Sequence, residues 1–314
     1  MQKLENKIYR KLAQETLSEL NKIYKNKTGK TFHLKDLDGI IVFLQSHSKE
    51  TESAVKDFLK DELSIANMGI SCIGLLSLSV SPSESPDELF PRDWLTPSQV
   101  NPNLVLSHML NHLANYGLSV QVLIEKGLDA QARSQLRLLI ELSWLILSLT
   151  YKKDLWSNYV TAGEENESKF WSKNLKSYQL NKILSDIEKN AGLDEDTLII
   201  LQSTRKESYA TYSNVVHHSF TSVMLGSIAF SESDENFNFG LFGELNCASK
   251  ATINQLNYVL WYFTISFFSI MEKVHGFHPK TPDKDFWLEA FSLNLCLKKI
   301  YLLTRVGKLG SSPS

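Results

Sequence analysis

The feature that most constrains the fold is the apolar run at 127–149, which carries three charged side chains. Its length and the spacing of its apolar residues predict one long helix, apolar enough to lie at the centre of a fold. Arg133, Arg137 and Glu141 follow one another at intervals of four residues, so they share one face of that helix. Charges in a core helix are costly unless they are paired. The row therefore indicates either ion pairs that fix helix register or a polar site inside the protein.

Glycine and proline are scarce, with 14 and 8 among 314 residues, and this favours helices over turn-rich β architecture. We predict an all-α fold, a multi-helix bundle with an N-terminal helical extension. The apolar segment 34–42 fits either a strand or a buried helix, and its periodicity does not decide between them. The polar stretch 231–240 is typical of a loop or lid. Helices are predicted at 3–25, 51–80, 104–126, 130–151, 155–170, 171–190, from 192 onward, 251–274 and 285–304.

Four sections are predicted along the chain. A proline- and serine-rich linker at 81–103 separates an N-terminal helical section, 1–80, from the main helical bundle, 104–306. Residues 307–314 are expected to form a disordered tail. The turn at Gly127 is so short that the helices on either side of it should be antiparallel neighbours.

Charge and cysteine content exclude several classes of protein. A net charge of −2 gives no reason to expect bulk electrostatic capture of nucleic acid or acidic lipid. Three widely spaced cysteines without a CxxC pair argue against a disulfide framework or a zinc knuckle, and fit a cytoplasmic setting. The N-terminus lacks the apolar core of a signal peptide. The uncharged stretches 63–83 and 251–271 are interpreted as buried core helices, so no membrane association is expected.

A second polar cluster lies on the helix that begins after 192. Tyr209, Ser213 and His217 follow at intervals of four residues, so they share a face, and Tyr212 lies beside them. The chain has no Gly-x-Ser-x-Gly elbow, which argues against a serine hydrolase. Two interpretations stay open. The residues form a hydrogen-bonded core network, or His217 is a general acid/base that faces the arginine row.

Two histidines have the spacing of metal ligands. His108 and His112 share one helix face, but the glutamate of a His-Glu-x-x-His motif is missing. We interpret them as two partly buried histidines and predict no metal. No glycine-rich phosphate loop is present, and no cofactor is expected.

The pattern from Gly127 to Leu142, followed by Tyr212 to His217, resembles a bacterial all-helical family of unknown function. The resemblance covers about residues 100–275. It implies a bundle in which Arg137 and Glu141 on one helix meet Ser213 and His217 on another.

The chain also looks distantly like the helical RNA-cleaving and nucleotide-binding domains of bacterial defence systems. Those domains carry an arginine four to six residues before a histidine. Here Arg205 and His217 are too far apart, so Arg137 would have to take the arginine's place.

These patterns give two hypotheses of different classes. In the first, a bacterial defence- or stress-associated protein cleaves RNA or a nucleotide in the bundle. In the second, the same residues are structural in a non-enzymatic module that forms a homo-oligomer or binds a partner protein. For the first, the catalytic residues would be His217, Arg137, Glu141 and Ser213, and the substrate-binding residues would be Arg133, Tyr209 and Tyr212.

Overall fold

The fold was analysed in a computed structural model of the chain. The model describes residues 7–81, 101–160, 170, 176–193, 195–216, 228–230, 237–239, 243–245, 247–277 and 285–305, and the structural statements below concern those residues. The predicted linker lies almost wholly outside the described residues, and the predicted tail lies entirely outside them.

The described chain is a helical bundle, as predicted. One short antiparallel hairpin is added to it, formed by β1 (Ile228–Phe230) and β2 (Phe237–Phe239). Strands of three residues are too short to produce a recognisable alternating pattern in the sequence. Residues 153–160 are also helical. The helices are α1 (Lys7–Thr28), α2 (Leu34–Phe58), α3 (Lys60–Ser79), α4 (Pro102–Glu125), α5 (Asp129–Tyr151), α6 (Ser177–Asn190), α7 (Glu195–Val216), α8 (Cys247–Lys273) and α9 (Asp285–Arg305).

The N-terminal section differs from the prediction in where its helices begin and end. The ambiguous segment 34–42 is helical and forms the start of α2. The helix predicted at 51–80 is divided at Leu59, whose backbone leaves helical geometry with φ −109° and ψ 24°. The Leu59 side chain is completely buried. The change of direction at this residue therefore lets the chain place a leucine in the core while α3 takes a new path.

Helix α3 lies in the centre of the molecule with the main bundle and shares its hydrophobic core. It packs against α4, α8 and α9, while α5 packs against α4, α7 and α8. Gly69 brings α3 and α8 close together, because a Cβ atom at that position would lie 2.8 Å from Cβ of Leu260. The aromatic part of the core comes from Phe263, Phe267 and Trp287, all completely buried.

Helix α3 is also the one helix among the described residues that is long and apolar enough to cross a membrane. Its most apolar window is 44% buried inside the fold. A core helix of a soluble protein can pass the same test of length and composition. The second stretch considered in the sequence, 251–271, lies within α8 and supplies much of the aromatic core.

The turn between α4 and α5 is built on glycine, as predicted. Gly127 has φ +68°, a conformation that favours glycine. A second glycine, Gly243 with φ +94°, lies against this turn, and the backbone N–H of Glu244 donates to the Gly127 carbonyl at 3.3 Å. Thr51 on α2 in turn donates to the Gly243 carbonyl at 3.3 Å. The segment before α8 thus connects α2 to the α4–α5 corner.

Candidate functional site

Arg137 connects two helices that are distant in the sequence. Its Nε donates to Oε1 of Glu141, one turn along α5, at 3.0 Å. Its Nη2 donates to the hydroxyl of Tyr209 on α7, also at 3.0 Å. The guanidinium carbon lies 4.6 Å from the centre of the Tyr209 ring, which is cation–π distance. The structure therefore places an arginine, a carboxylate and a tyrosine side by side.

The guanidinium of Arg137 is enclosed rather than presented to solvent. Only 14% of the side chain is exposed. Its Nη1 atom is buried and has no hydrogen-bond partner among the described residues. Glu141, by contrast, is 39% exposed at its side chain. In this arrangement the arginine holds the carboxylate and the tyrosine in position, and Glu141 is the group that a ligand can reach.

Arg133 belongs to a different cluster. Its Nε lies 2.8 Å from Oδ2 of Asp129 and donates to Oγ1 of Thr252 on α8 at 3.1 Å. The Thr252 hydroxyl also donates to Asp129, at 2.5 Å. Burial raises the pKa of the Asp129 carboxyl, while Arg133 and Thr252 act in the opposite direction. The charged row of α5 is thus divided: Arg133 ties α5 to α8, and Arg137 ties α5 to α7.

The remaining predicted site residues follow Tyr209 along the chain. Helix α7 continues to Val216, so the backbones of Tyr212 and Ser213 are helical, one turn or less beyond Tyr209. Their side chains lie outside what the structure describes, and so does His217 as a whole.

A cleft of about 400 Å³ opens beside Glu141 and Tyr209, between α4, α5 and α7. Five aromatic rings and four leucines form most of its walls. The Tyr209 ring stacks on that of Trp144, with centroids 5.7 Å apart and planes 23° apart. The cleft is lined by His112, Tyr116, Leu138, Glu141, Leu142, Trp144, Leu145, Tyr159, Leu180 and Tyr209.

The two histidines of α4 were predicted to be partly buried, and this prediction was wrong. Both His108 and His112 are exposed, because the buried face of α4 at this level is formed by Leu106, Met109 and Leu110. The His112 ring lies 4.6 Å from that of Tyr116 at the rim of the cleft. Within the described ranges, no three His, Cys, Asp or Glu side chains gather as metal ligands would.

A further polar cluster, formed by Arg205, Glu188 and Tyr262, was not predicted from the sequence. Arg205 on α7 pairs with Glu188 on α6, and both side chains are 2% exposed. The Tyr262 hydroxyl of α8 donates to Oε1 of the same carboxylate at 2.6 Å. Burial raises the pKa of Tyr262 well above its ordinary value, and the Glu188 carboxylate acts in the same direction. Tyr262 therefore stays protonated and remains a donor. Asn181 accepts a further bond from Nε of Arg205 at 3.2 Å.

The sequence signal for this cluster was weak, because its partners come from three helices. Glu188 and Arg205 lie 17 residues apart and Tyr262 another 57 beyond. Spacing rules detect partners on the same helix, but not a pair formed by helix–helix packing. The one available hint was an arginine on an otherwise tyrosine-rich face of α7.

Fold and site together define a helical bundle protein with a cleft of aromatic and leucine side chains, beside which an enclosed arginine holds a carboxylate. Comparison with known proteins adds no family to this description: no family model, no curated protein and no solved structure matches the chain.

Proposed function

We propose that this protein binds a nucleotide or the bases of single-stranded RNA in the cleft beside Glu141. The observation that carries the proposal is the composition of the cleft. Aromatic rings line it, and an exposed carboxylate, fixed by Arg137, stands at its edge. Bases stack on aromatic side chains, with about 1–3 kcal/mol per base, independently of sequence. Glu141 is placed to accept from an exocyclic amine or a ribose hydroxyl.

In this proposal Arg137 is a positioning residue. Its hydrogen bonds go to Glu141 and Tyr209, so it orients the carboxylate and one aromatic wall instead of holding a phosphate directly. Cleavage of the bound ligand is a further part of the proposal, with His217 as general acid or base. A role in bacterial defence or stress, and a cytoplasmic location, rest on the sequence interpretation alone.

Fluorescence polarisation with a labelled ten-nucleotide oligoadenylate RNA tests the binding step. Tyr116→Ala removes a wall of the cleft and is expected to weaken binding about fivefold or more. Tyr178→Ala is the matched control, because Tyr178 is exposed on α6 and does not line the cleft. Equal affinities of the two variants, or no binding by the native protein, would contradict the proposal.

The cleavage step is tested separately with His217→Ala. If His217 is the general acid or base, this variant binds the labelled RNA like the native protein but leaves it intact on a denaturing gel. RNA that stays intact with the native protein rejects cleavage and leaves the binding result unaffected.

The helical hairpin formed by α1 and α2 favours a second function, self-association. No residue of α1 is buried, although the helix is amphipathic. It contacts α2 through a bond from Arg10 to Asp38 at 3.3 Å, and the connection between the two helices through a bond from Asn21 to the Phe32 carbonyl at 2.7 Å. Large apolar side chains stay exposed on both helices: Ile8, Tyr9, Leu12, Leu20, Ile23 and Tyr24 on α1, and Leu37, Ile40, Phe43 and Phe58 on α2. An apolar surface of this kind is typical of an interaction site.

The occupant that fits best is the same hairpin of a second copy of this chain. Basic side chains outnumber acidic ones on α1, whereas acidic side chains outnumber basic ones on α2. Antiparallel pairing of two hairpins places α1 of one copy against α2 of the other, which covers both apolar faces and matches their charges.

Light scattering after size-exclusion chromatography measures the mass. The native chain is expected to be a dimer at micromolar concentration, and the double substitution Ile8→Glu with Ile23→Glu is expected to give a monomer. Leu118→Glu, on an exposed position of α4, is the control and should stay dimeric. A monomeric native chain at 100 micromolar would assign the surface to a different partner and reject self-association.

A further inference from the structure

A second, larger cavity lies on another side of α7, away from the cleft beside Glu141. It has a volume of about 560 Å³ and is enclosed by α8, α9, the end of α6 and the start of α7. This volume is within the usual range for small-molecule sites, about 300–1,000 Å³. Its walls are mostly apolar and are formed by Trp261, Ile265, Phe268, Phe291, Leu295 and Tyr301.

The aromatic wall has a defined geometry. The rings of Trp261 and Tyr301 stack with centroids 4.4 Å apart and planes 10° apart. Phe268 contacts Phe291 edge-on at 5.4 Å. These contacts join α8 to α9 on the cavity side, so the wall is supported by two helices and is not a single loose side chain.

Three buried polar atoms, each on a residue that lines this cavity, have no hydrogen-bond partner among the described residues. They are Oε2 of Glu188, Nε1 of Trp261 and Oδ1 of Asn294. Glu188 is 2% exposed and Asn294 is 5% exposed. A buried polar atom without a partner costs free energy, so three of them on residues around one cavity need an explanation.

The charge of Glu188 limits which groups of a ligand can bond to its free oxygen. Its other oxygen, Oε1, accepts from Tyr262 and pairs with Arg205. The negative charge is thus already compensated, so the free oxygen needs a neutral donor rather than a cation. Trp261 offers an N–H donor, which requires an acceptor on the ligand.

We propose that this cavity binds a neutral, mainly apolar ring compound that carries a hydroxyl or N–H donor for Glu188 and an acceptor for Trp261. The aromatic walls hold the ring system, and the polar atoms fix its orientation. Glu272 and Lys298, both exposed, stand at the opening. A charged group on a ligand would therefore lie at this opening, in contact with water and these two side chains. The apolar ring would lie in the interior.

The proposal is tested with 2-naphthol and its methyl ether, 2-methoxynaphthalene. The two probes have the same ring system, but only the first carries a donor. Titration followed by protein tryptophan fluorescence is expected to give saturable binding of 2-naphthol and about tenfold weaker binding of the ether, because one buried hydrogen bond is lost. Equal affinities, or no saturable binding of 2-naphthol, would overturn the proposal.

The location is tested with a substitution that fills the cavity. Ser269 on α8 lines it, so Ser269→Phe is expected to weaken 2-naphthol binding at least tenfold. Ser292→Phe is the matched control, because Ser292 is exposed on α9 and bonds to the Leu288 carbonyl outside the cavity. Binding by Ser269→Phe at native affinity would overturn the assignment.

A measurement on the native chain keeps the test decisive if Ser269→Phe does not fold. The indole N–H resonance of Trp261, assigned by its disappearance in Trp261→Phe, should shift on addition of 2-naphthol. A saturating titration that leaves this resonance in place would reject the site.

Discussion

The Arg137 guanidinium donates a 3.0 Å hydrogen bond to the Tyr209 hydroxyl while its carbon lies 4.6 Å from the centre of the same ring. Tyr209→Phe separates the two contacts, because it removes the bond and keeps the ring. The enclosed arginine then keeps Glu141 but loses one of its two acceptors, and we expect a loss of about 1–2 kcal/mol in the free energy of unfolding, measured with urea. Tyr178→Phe, on the exposed surface, should change it by less than about 0.5 kcal/mol. Equal stabilities of the two variants would show that the bond contributes nothing.

The buried pair of Glu188 and Arg205 predicts that the losses of stability caused by mutating its two members are not additive. Glu188→Gln leaves the Arg205 charge buried without its counterion and is expected to cost about 3–5 kcal/mol. The double variant with Arg205→Met should lose less than the sum of the two single variants. Chemical denaturation of all three proteins measures this coupling. Additive losses would mean that the two side chains do not interact in solution.

The stability of the folded protein is expected to depend on the ionisation of Glu52, at the corner where α2 meets α4. Hydrogen bonds from Lys126 and Lys56 lower the pKa of its carboxyl from 4.5 to about 2. A carboxyl whose pKa is lower in the folded state stabilises the protein above its unfolded pKa, and that stabilisation is lost as pH falls through the folded pKa. The stability difference between native protein and Glu52→Gln should therefore shrink between pH 5 and pH 2. A difference that stays constant over this range would contradict the assignment.

Alanine substitutions of Gly243 and Gly192 distinguish the cost of backbone strain from the cost of steric crowding. Both have positive φ, +94° and +82°. A Cβ at Gly192 would meet nothing within 4 Å, whereas one at Gly243 would overlap the Lys126 carbonyl oxygen. Gly192→Ala should therefore cost about 1 kcal/mol, through backbone strain alone. Gly243→Ala should cost about 2 kcal/mol more than that, because the turn must also move. Urea unfolding compares the two variants. Equal losses in the free energy of unfolding would show that the segment 243–245 moves aside without cost.

The interactions that could be predicted are those within one helix. The four-residue spacing of Arg137 and Glu141 predicted their ion pair, and the spacing of Tyr209 predicted which face of its helix is polar. Both follow from helix geometry alone. A contact between this face and the arginine row was one of the two open interpretations and was implied by the family resemblance. The structure describes such a contact for Tyr209.

The interactions that could not be predicted depend on how helices pack. Nothing in the spacing of Glu188 and Arg205 shows that α6 and α7 bring them together. Similarly, Thr252 of α8 bonds to both Arg133 and Asp129, and nothing in the spacing along α5 predicts that contact. The break at Leu59 also has no helix-breaking residue to announce it. The residue at the break, Leu59, is completely buried, and burial depends on how the helices pack.

Helix α7 carries one member of each of the two polar clusters that hold it to its neighbours, Arg205 and Tyr209. Arg205 anchors it to α6 and α8, and Tyr209, one turn further on, anchors it to α5. A helix rotates as a rigid rod, so a turn of α7 about its axis cannot release one anchor without displacing the other. On the proposals above, a ligand that turned α7 by displacing Arg205 would therefore also move the Tyr209 ring in the cleft.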